Sequence, residues 1–281
     1  MVIINMKSTT KTCYAELTTR CNLSCPYCDI KNMDDHWNRD KFMKQLHEFD
    51  GKIILFGGEP TLYKDRLIDV FLSDPIINHK IKSITTNFMH IDDTILTILQ
   101  MIKGVGTSYS PTRFTDEEYK IWLSNINEFG EKVKGKTIGV LATMTFEMLN
   151  MSPDEMMNIM KEWNNNVIEY IQFEHYVGPE TTEEYFIKCD EWLCKLYSIW
   201  DTPIKLKNIL RIRYWNNDCS NIYTIHPNGE LTKGCPHNNK FYIPDKCYTC
   251  DKQEICRPCR LQKYCSYMPK FAELTKNILY N

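Results

Sequence analysis

The chain reads as an α/β protein: a parallel sheet of six strands alternating with helices, open or curled into a partial barrel, then a small cysteine-rich domain with a β-hairpin. Three observations lead there. From residue 12 to about 200, strand-like apolar stretches alternate with segments whose apolar residues recur at helical spacing. Such alternation makes βαβ units, and these build parallel sheets. Beyond residue 201 the apolar periodicity fades while cysteines crowd together, so bound metal is expected to stand in for a core there.

The strands are expected at 12–19 (TCYAELTT), 52–56 (KIILF), 81–86 (IKSITT), 103–109, 136–144 (KTIGVLATM) and 167–176 (VIEYIQFEHY). Helical spacing covers 62–72, 92–102, 115–132, 152–164 and 181–200. Ser152-Pro153-Asp154-Glu155 is a helix start: Ser caps, Pro suits the first turn and Glu follows three residues on. Past 201, strand-like 206–213 precedes 222–226 and 230–233, and Pro227-Asn228-Gly229 between the last two signals a hairpin. The division is therefore expected to be 1–200 and 201–281.

With 281 residues, 43% hydrophobic and 25% charged, the composition is that of a soluble globular protein. No apolar run is long enough to span a bilayer, and the first residues lack a signal peptide's apolar core. No membrane partner and a cytoplasmic location are expected. Thirteen cysteines in a reducing compartment point to metal rather than disulfides. The net charge of −2 is uneven: residues 201–281 hold 13 Lys+Arg against 7 Asp+Glu, and residues 1–200 hold 21 against 29. Basic residues near clusters ligated by thiolates would compensate their negative charge; a nucleic-acid surface is the competing explanation.

Cys21-Asn22-Leu23-Ser24-Cys25-Pro26-Tyr27-Cys28 follows the first strand. Three thiolates at this spacing can hold three irons of a cubane cluster and leave the fourth open to an external ligand. A zinc site lacking one ligand is the alternative. At the end of the second strand stands Phe56-Gly57-Gly58-Glu59-Pro60. Its glycines would let backbone approach a ligand closely, and Glu59 could accept a hydrogen bond from an ammonium group. Both motifs fall at C-terminal strand ends, where parallel α/β enzymes place their chemistry.

The three-cysteine loop with Tyr27 before its last cysteine, the GGEP turn and the strand order resemble the radical S-adenosylmethionine superfamily, over roughly residues 12–200. The resemblance implies a partial (β/α)6 TIM-like barrel. It implies a catalytic [4Fe-4S] cluster on Cys21, Cys25 and Cys28, and S-adenosyl-L-methionine held near Tyr27 with its methionine end at Gly57, Gly58 and Glu59. Cleavage would yield a 5′-deoxyadenosyl radical that takes hydrogen from a substrate, on receipt of an electron from a low-potential flavodoxin- or ferredoxin-type donor. The family's Thr-Asn-Gly at the third strand appears here as Thr86-Asn87-Phe88, making Asn87 a cofactor contact. Its Ser-Leu-Asp-Gly-Pro aligns with Ser108-Tyr109-Ser110-Pro111, suggesting a ribose contact for Ser108. Arg113 could pair with the cofactor's carboxylate or stand in solvent.

Cys219, Cys235, Cys247, Cys250, Cys256, Cys259 and Cys265 form the second group. It is similar to the SPASM extension, with departures in the Gly229–Cys235, Cys235–Cys247 and Cys256–Cys259 spacings. The resemblance implies one or two auxiliary [4Fe-4S] clusters, one on Cys219, Cys235 and Cys259, the other on Cys247, Cys250, Cys256 and Cys265. His226 and His237 are near enough in sequence to complete the first. A zinc site on the two Cys-x2-Cys pairs is the rival. Cys189 and Cys194 are expected as buried thiols of a helix whose Trp192, Leu196, Tyr197 and Trp200 pack inward. Such auxiliary domains accompany peptide or protein modification in the family, the expected role here. A small metabolite is the alternative, and an RNA substrate fits poorly with the overall negative charge.

Overall fold

The structure, a computed structural model, describes residues 11–28, 30, 35–176, 181–207, 221–234, 270, 271 and 274. The seven cysteines from Cys219 to Cys265, and His237, lie outside the described residues. The expected clusters of that segment therefore remain a reading of the sequence.

Six strands alternate with helices, as the periodicity requires: β1 (Thr12–Glu16), α1 (Arg39–Glu48), β2 (Lys52–Phe56), α2 (Lys64–Leu72), α3 (Pro75–Lys80), β3 (Ile81–Thr85), α4 (Asp93–Met101) and β4 (Gly104–Tyr109) come first. Then follow α5 (Asp116–Lys132), β5 (Ile138–Met144), α6 (Phe146–Asn150), α7 (Pro153–Glu162), β6 (Ile168–His175) and α8 (Glu183–Ser198). Helix starts are chemically marked. Thr115 with Glu118, and Ser152 with Glu155, form reciprocal capping boxes, so the expected start at Ser152 is met. Helices α1, α3 and α6 are absent from the sequence reading. Phe42 and Leu46 are the buried positions of α1, and one buried position each serves α3 and α6, too few to show a period.

Strands β1 to β6 lie side by side in chain order and all pair in parallel. Crossovers between parallel strands are right-handed, so a sheet wound in one direction carries its helices on one face. That face is the core: Cys13, Ala15, Ile53, Leu55, Ile84, Val105, Val140, Ala142, Ile171 and Phe173 are buried there with the apolar stripes of the helices. Alternate residues turn to the opposite face. Tyr14 meets Phe56 edge-on at 5.4 Å, and Lys207 Nζ sits 4.0 Å from the centre of the Tyr170 ring. The result is the expected α/β fold with a parallel, incompletely closed sheet.

Three further strands lengthen it. β7 (Lys205–Leu206) pairs with β6 where 206–213 was expected, and residues 208–213 lie outside the described ones. β8 (Ile222–Ile225) and β9 (Leu231–Lys233) make the expected hairpin, with Gly229 at φ +79° in its turn. This hairpin is stitched to the same sheet, β8 running parallel to β1 with Thr224 beside Tyr14 and Ile225 beside Ala15. Beyond the cysteines, the chain is back on α8: the Asp190 carboxylate accepts the N–H groups of Lys270 (2.9 Å) and Phe271 (2.8 Å). Cys189 is buried on α8, as expected, and burial pushes its thiol up to about 12. Among the described residues no helix is long and apolar enough to cross a membrane.

Candidate active site

The site is built from the turn that ends β1. The strand stops at Glu16, short of the expected Thr19, because Leu17–Thr19 are used otherwise. Leu17 N donates to Phe56 O at 3.1 Å, completing the β1–β2 ladder. Asp35 accepts Thr18 Oγ1 at 2.8 Å and Thr19 N at 2.9 Å, and Arg66 from α2 grips both sides. Its Nη1 donates to Leu17 O at 2.7 Å and to Asp35 at 3.2 Å, while its guanidinium lies over the rings of Tyr63 and Trp37. The Arg66 and Asp35 side chains are 12% and 6% exposed, so this is a buried, fully engaged ion pair. Sequence reading missed both residues; nothing local marks a pair 31 positions apart.

The GGEP turn locks onto this base. Gly58 N donates to Thr18 O and Glu59 N to Arg20 O, both at 2.7 Å. A Cβ on Gly57 would lie 2.2 Å from Thr18 O, and one on Gly58 2.1 Å from Arg20 O. Gly57 also holds φ +136°, which side chains resist. The close approach that the two glycines allow in this structure is to the backbone of Thr18 and Arg20, just before the cysteine loop.

Glu59 is buried and heavily bonded. Its Oε1 accepts Thr61 N (3.0 Å), Thr61 Oγ1 (2.7 Å) and Thr86 Oγ1 (2.7 Å), and Oε2 accepts Asn87 N at 2.5 Å. It ties the end of β2 to the end of β3. Asn87 then reaches the cysteine loop: its Nδ2 donates to Asn22 Oδ1 at 2.7 Å and lies 3.7 Å from Cys21 Sγ. Phe88, where the family pattern has Gly, takes φ +57° and is buried edge-on against Phe129 at 5.7 Å. The backbone here wants glycine's conformation, and burial of an aromatic ring offsets the strain.

From β4 the turn after Tyr109 completes the enclosure. Ser110 Oγ donates to Tyr27 OH at 2.9 Å, and Arg113 Nη1 lies 3.5 Å from both Tyr27 OH and Cys25 Sγ. Arg113 is therefore turned into the loop rather than out to solvent. Ser108, expected near the cofactor, sits within β4 beside Leu141; Ser110, two residues on, is what touches the loop. The structure thus links Gly58, Glu59, Asn87 and Cys21 through one set of contacts and Cys25, Tyr27, Ser110 and Arg113 through another, and Cys28 N is tied to Cys25 O at 3.2 Å.

None of the three thiols is in a disulfide; Cys25 is buried and Cys21 and Cys28 are partly exposed. Burial, aided by the nearby Glu59 and Cys25, pushes the Cys21 thiol up, while the Leu23 N–H and the Arg113 guanidinium pull it down. Arg113 Nε and Thr112 Oγ1 are buried here without a protein partner. Three thiols with a guanidinium and spare polar atoms beside them suit an anionic group such as an iron–sulfur cluster with a polar ligand. Among the described residues no three His, Cys, Asp or Glu side chains gather around a single ion's position.

No known family profile matches the chain. It is 29% identical over 129 residues to a protein of Methanocaldococcus jannaschii that carries the provisional name of glycyl-radical enzyme activating enzyme. The match covers 43% of this chain and 51% of that protein, so the chain spans about half the length of that curated relative. Among solved structures it is similar to Streptococcus suis SuiB bound to S-adenosylmethionine (TM-score 0.60, 15% identity, 90% of this chain and 73% of that one). SuiB bound to its precursor peptide SuiA gives TM-score 0.57 at 15% identity, over 90% of this chain and 72% of that one. At such identities the likeness is one of fold. The chain shares the fold of these structures, and in it the three-cysteine loop follows the first strand with the GGEP turn clasped beside it.

Proposed function

We propose that this protein reductively cleaves S-adenosylmethionine at a four-iron cluster held by Cys21, Cys25 and Cys28, and abstracts hydrogen from a peptidyl residue. The observation that carries the reading is the three-thiol loop whose base is pinned by the GGEP turn at the ends of β1 and β2. Once bound and reduced by one electron, the cofactors supply a 5′-deoxyadenosyl radical that takes a hydrogen atom from the substrate. The chain's own residues position them. Asp35, Arg66 and the two glycines hold the loop, and Asn87 steadies Asn22 beside Cys21. Glu59 Oε2, with one hydrogen bond in the structure, keeps acceptor capacity for the methionine ammonium. Thr112 and Arg113 offer further polar atoms.

A peptide substrate is supported by the likeness to SuiB, whose structure was solved with its precursor peptide. An extended segment could add to a strand edge of the incompletely closed sheet and draw specificity from side-chain pockets. We assign Cys219, Cys235, Cys247, Cys250, Cys256, Cys259 and Cys265 to one or two auxiliary clusters, with a flavodoxin- or ferredoxin-type protein as electron donor. Anaerobically reconstituted protein is expected to hold ~8 to 12 irons per chain at four per cluster. Replacing Cys21, Cys25 and Cys28 with Ala should abolish 5′-deoxyadenosine formation and spare the auxiliary iron. Unchanged 5′-deoxyadenosine would overturn the cluster assignment. Incubating the enzyme with peptides encoded beside its gene, and following peptide mass, tests the substrate; turnover coupled only to a small molecule from cell extract would replace peptide by metabolite.

A further inference from the structure

Arg113 leaves β4 through the turn Ser110-Pro111-Thr112-Arg113, closed by Arg113 N donating to Ser110 O at 3.1 Å. Its charge is carried inward. Nη1 is shared between Cys25 Sγ and Tyr27 OH, both at 3.5 Å, and Cζ lies 5.5 Å from the centre of the Phe114 ring. Nε is buried without a hydrogen-bond partner. Among the described residues no carboxylate pairs with it; the groups acting on its charge are Cys25, Tyr27 and Cys21. An arginine brought this far out of water without a carboxylate is costly unless another negative group meets it. The thiolate sulfur of Cys25 is such a group once it ligates iron.

We propose that Arg113 is a positioning residue that raises the reduction potential of the cluster on Cys21, Cys25 and Cys28 by donating an N–H···S hydrogen bond to Cys25, with Tyr27 and Ser110 holding it there. The inference rests on the cluster reading above. Reduction adds one electron to the cluster, from dithionite in the test below, with no bond made or broken. The added negative charge spreads onto the thiolate sulfurs, so a cation and donor at one of them stabilises the reduced state more than the oxidised one. Arginine suits the place because its planar fork can serve sulfur and phenol together, which an ammonium does less well. Ser110, donating to Tyr27 OH at 2.9 Å, fixes the phenol that in turn fixes the guanidinium.

The test uses full-length reconstituted protein as wild type, Arg113→Gln, Arg113→Lys and Tyr27→Phe. The paramagnetic signal to follow is the one lost when Cys21, Cys25 and Cys28 are replaced by Ala. In a redox titration, Arg113→Gln should lower the ratio of reduced to oxidised cluster roughly tenfold at fixed potential, about 59 mV for a one-electron couple. Tyr27→Phe should shift it the same way by less, and Arg113→Lys should restore part of it. S-adenosylmethionine affinity is read in parallel from its perturbation of the same signal. An unchanged potential with weakened S-adenosylmethionine binding would assign the guanidinium to the ligand's carboxylate and overturn the proposal. Unchanged potential in all three variants would overturn it too. Absence of the signal from wild type would instead remove the cluster reading, and this inference with it.

Discussion

Glu59 Oε2 accepts the main-chain N–H of Asn87 at 2.5 Å, so one buried carboxylate joins the turn after β2 to the end of β3. With Thr61 and Thr86 on its other oxygen, it is a structural keystone of the strand ends as well as a cofactor candidate.

Replacing it tests the first role. Glu59→Gln puts an amide donor against groups that already donate, and each buried polar group left unpaired costs about 1–3 kcal/mol. Urea unfolding of the cluster-free protein should show a loss in that range. Wild-type stability with lost S-adenosylmethionine binding would mean that Glu59 serves the ligand alone.

The glycine contact makes a sharper comparison. Ala at Gly58 would press Cβ to 2.1 Å from Arg20 O, whereas at Gly106 the nearest atom is 3.6 Å away. Gly58→Ala should cost about 1–3 kcal/mol or more and reduce iron at the N-terminal site. Gly106→Ala should change stability by less than about 1 kcal/mol. Iron content and urea midpoints of the two variants decide it.

Breaking the clamp beneath the cysteine loop should be worse than removing it. Arg66→Ala leaves Asp35 buried and charged, an expected loss of about 3–5 kcal/mol. The double variant Asp35→Ala/Arg66→Ala should lose less than the sum of the single changes, because no lone charge remains. Additive losses in a double-mutant cycle would show that the two residues act independently.

The hairpin junction should respond to pH. His226 Nδ1 lies 2.6 Å from Glu16 Oε2, and Nε2 lies 3.0 Å from Thr232 Oγ1. Hydrogen bonding to Glu16 raises His226 above its ordinary 6.5, although burial opposes this. The stability gained is complete below the unfolded value and fades as pH rises through the folded one. As pH rises above the ordinary imidazole range, the stability difference between wild type and His226→Gln should therefore shrink. A difference independent of pH would mean that the imidazole is neutral in the fold.

What the sequence determined by itself lies in its local chemistry. Alternation of apolar residues set the six strands, the Ser152 cap set a helix start, and the cysteine spacing with GGEP pointed to the candidate site; each depends on neighbours a few positions apart. Short α1, α3 and α6 escaped because so few of their positions are buried. Tertiary structure alone decided which groups those motifs meet. Gly57 and Gly58 face Thr18 and Arg20, Glu59 is bound by the third strand, Arg113 turns toward Cys25, and Arg66 reaches Asp35. His226 meets Glu16 across 210 residues because β8 runs in register beside β1. Such pairings follow from strand order and register, which come from the packing of the whole sheet and leave no mark in any short stretch of chain.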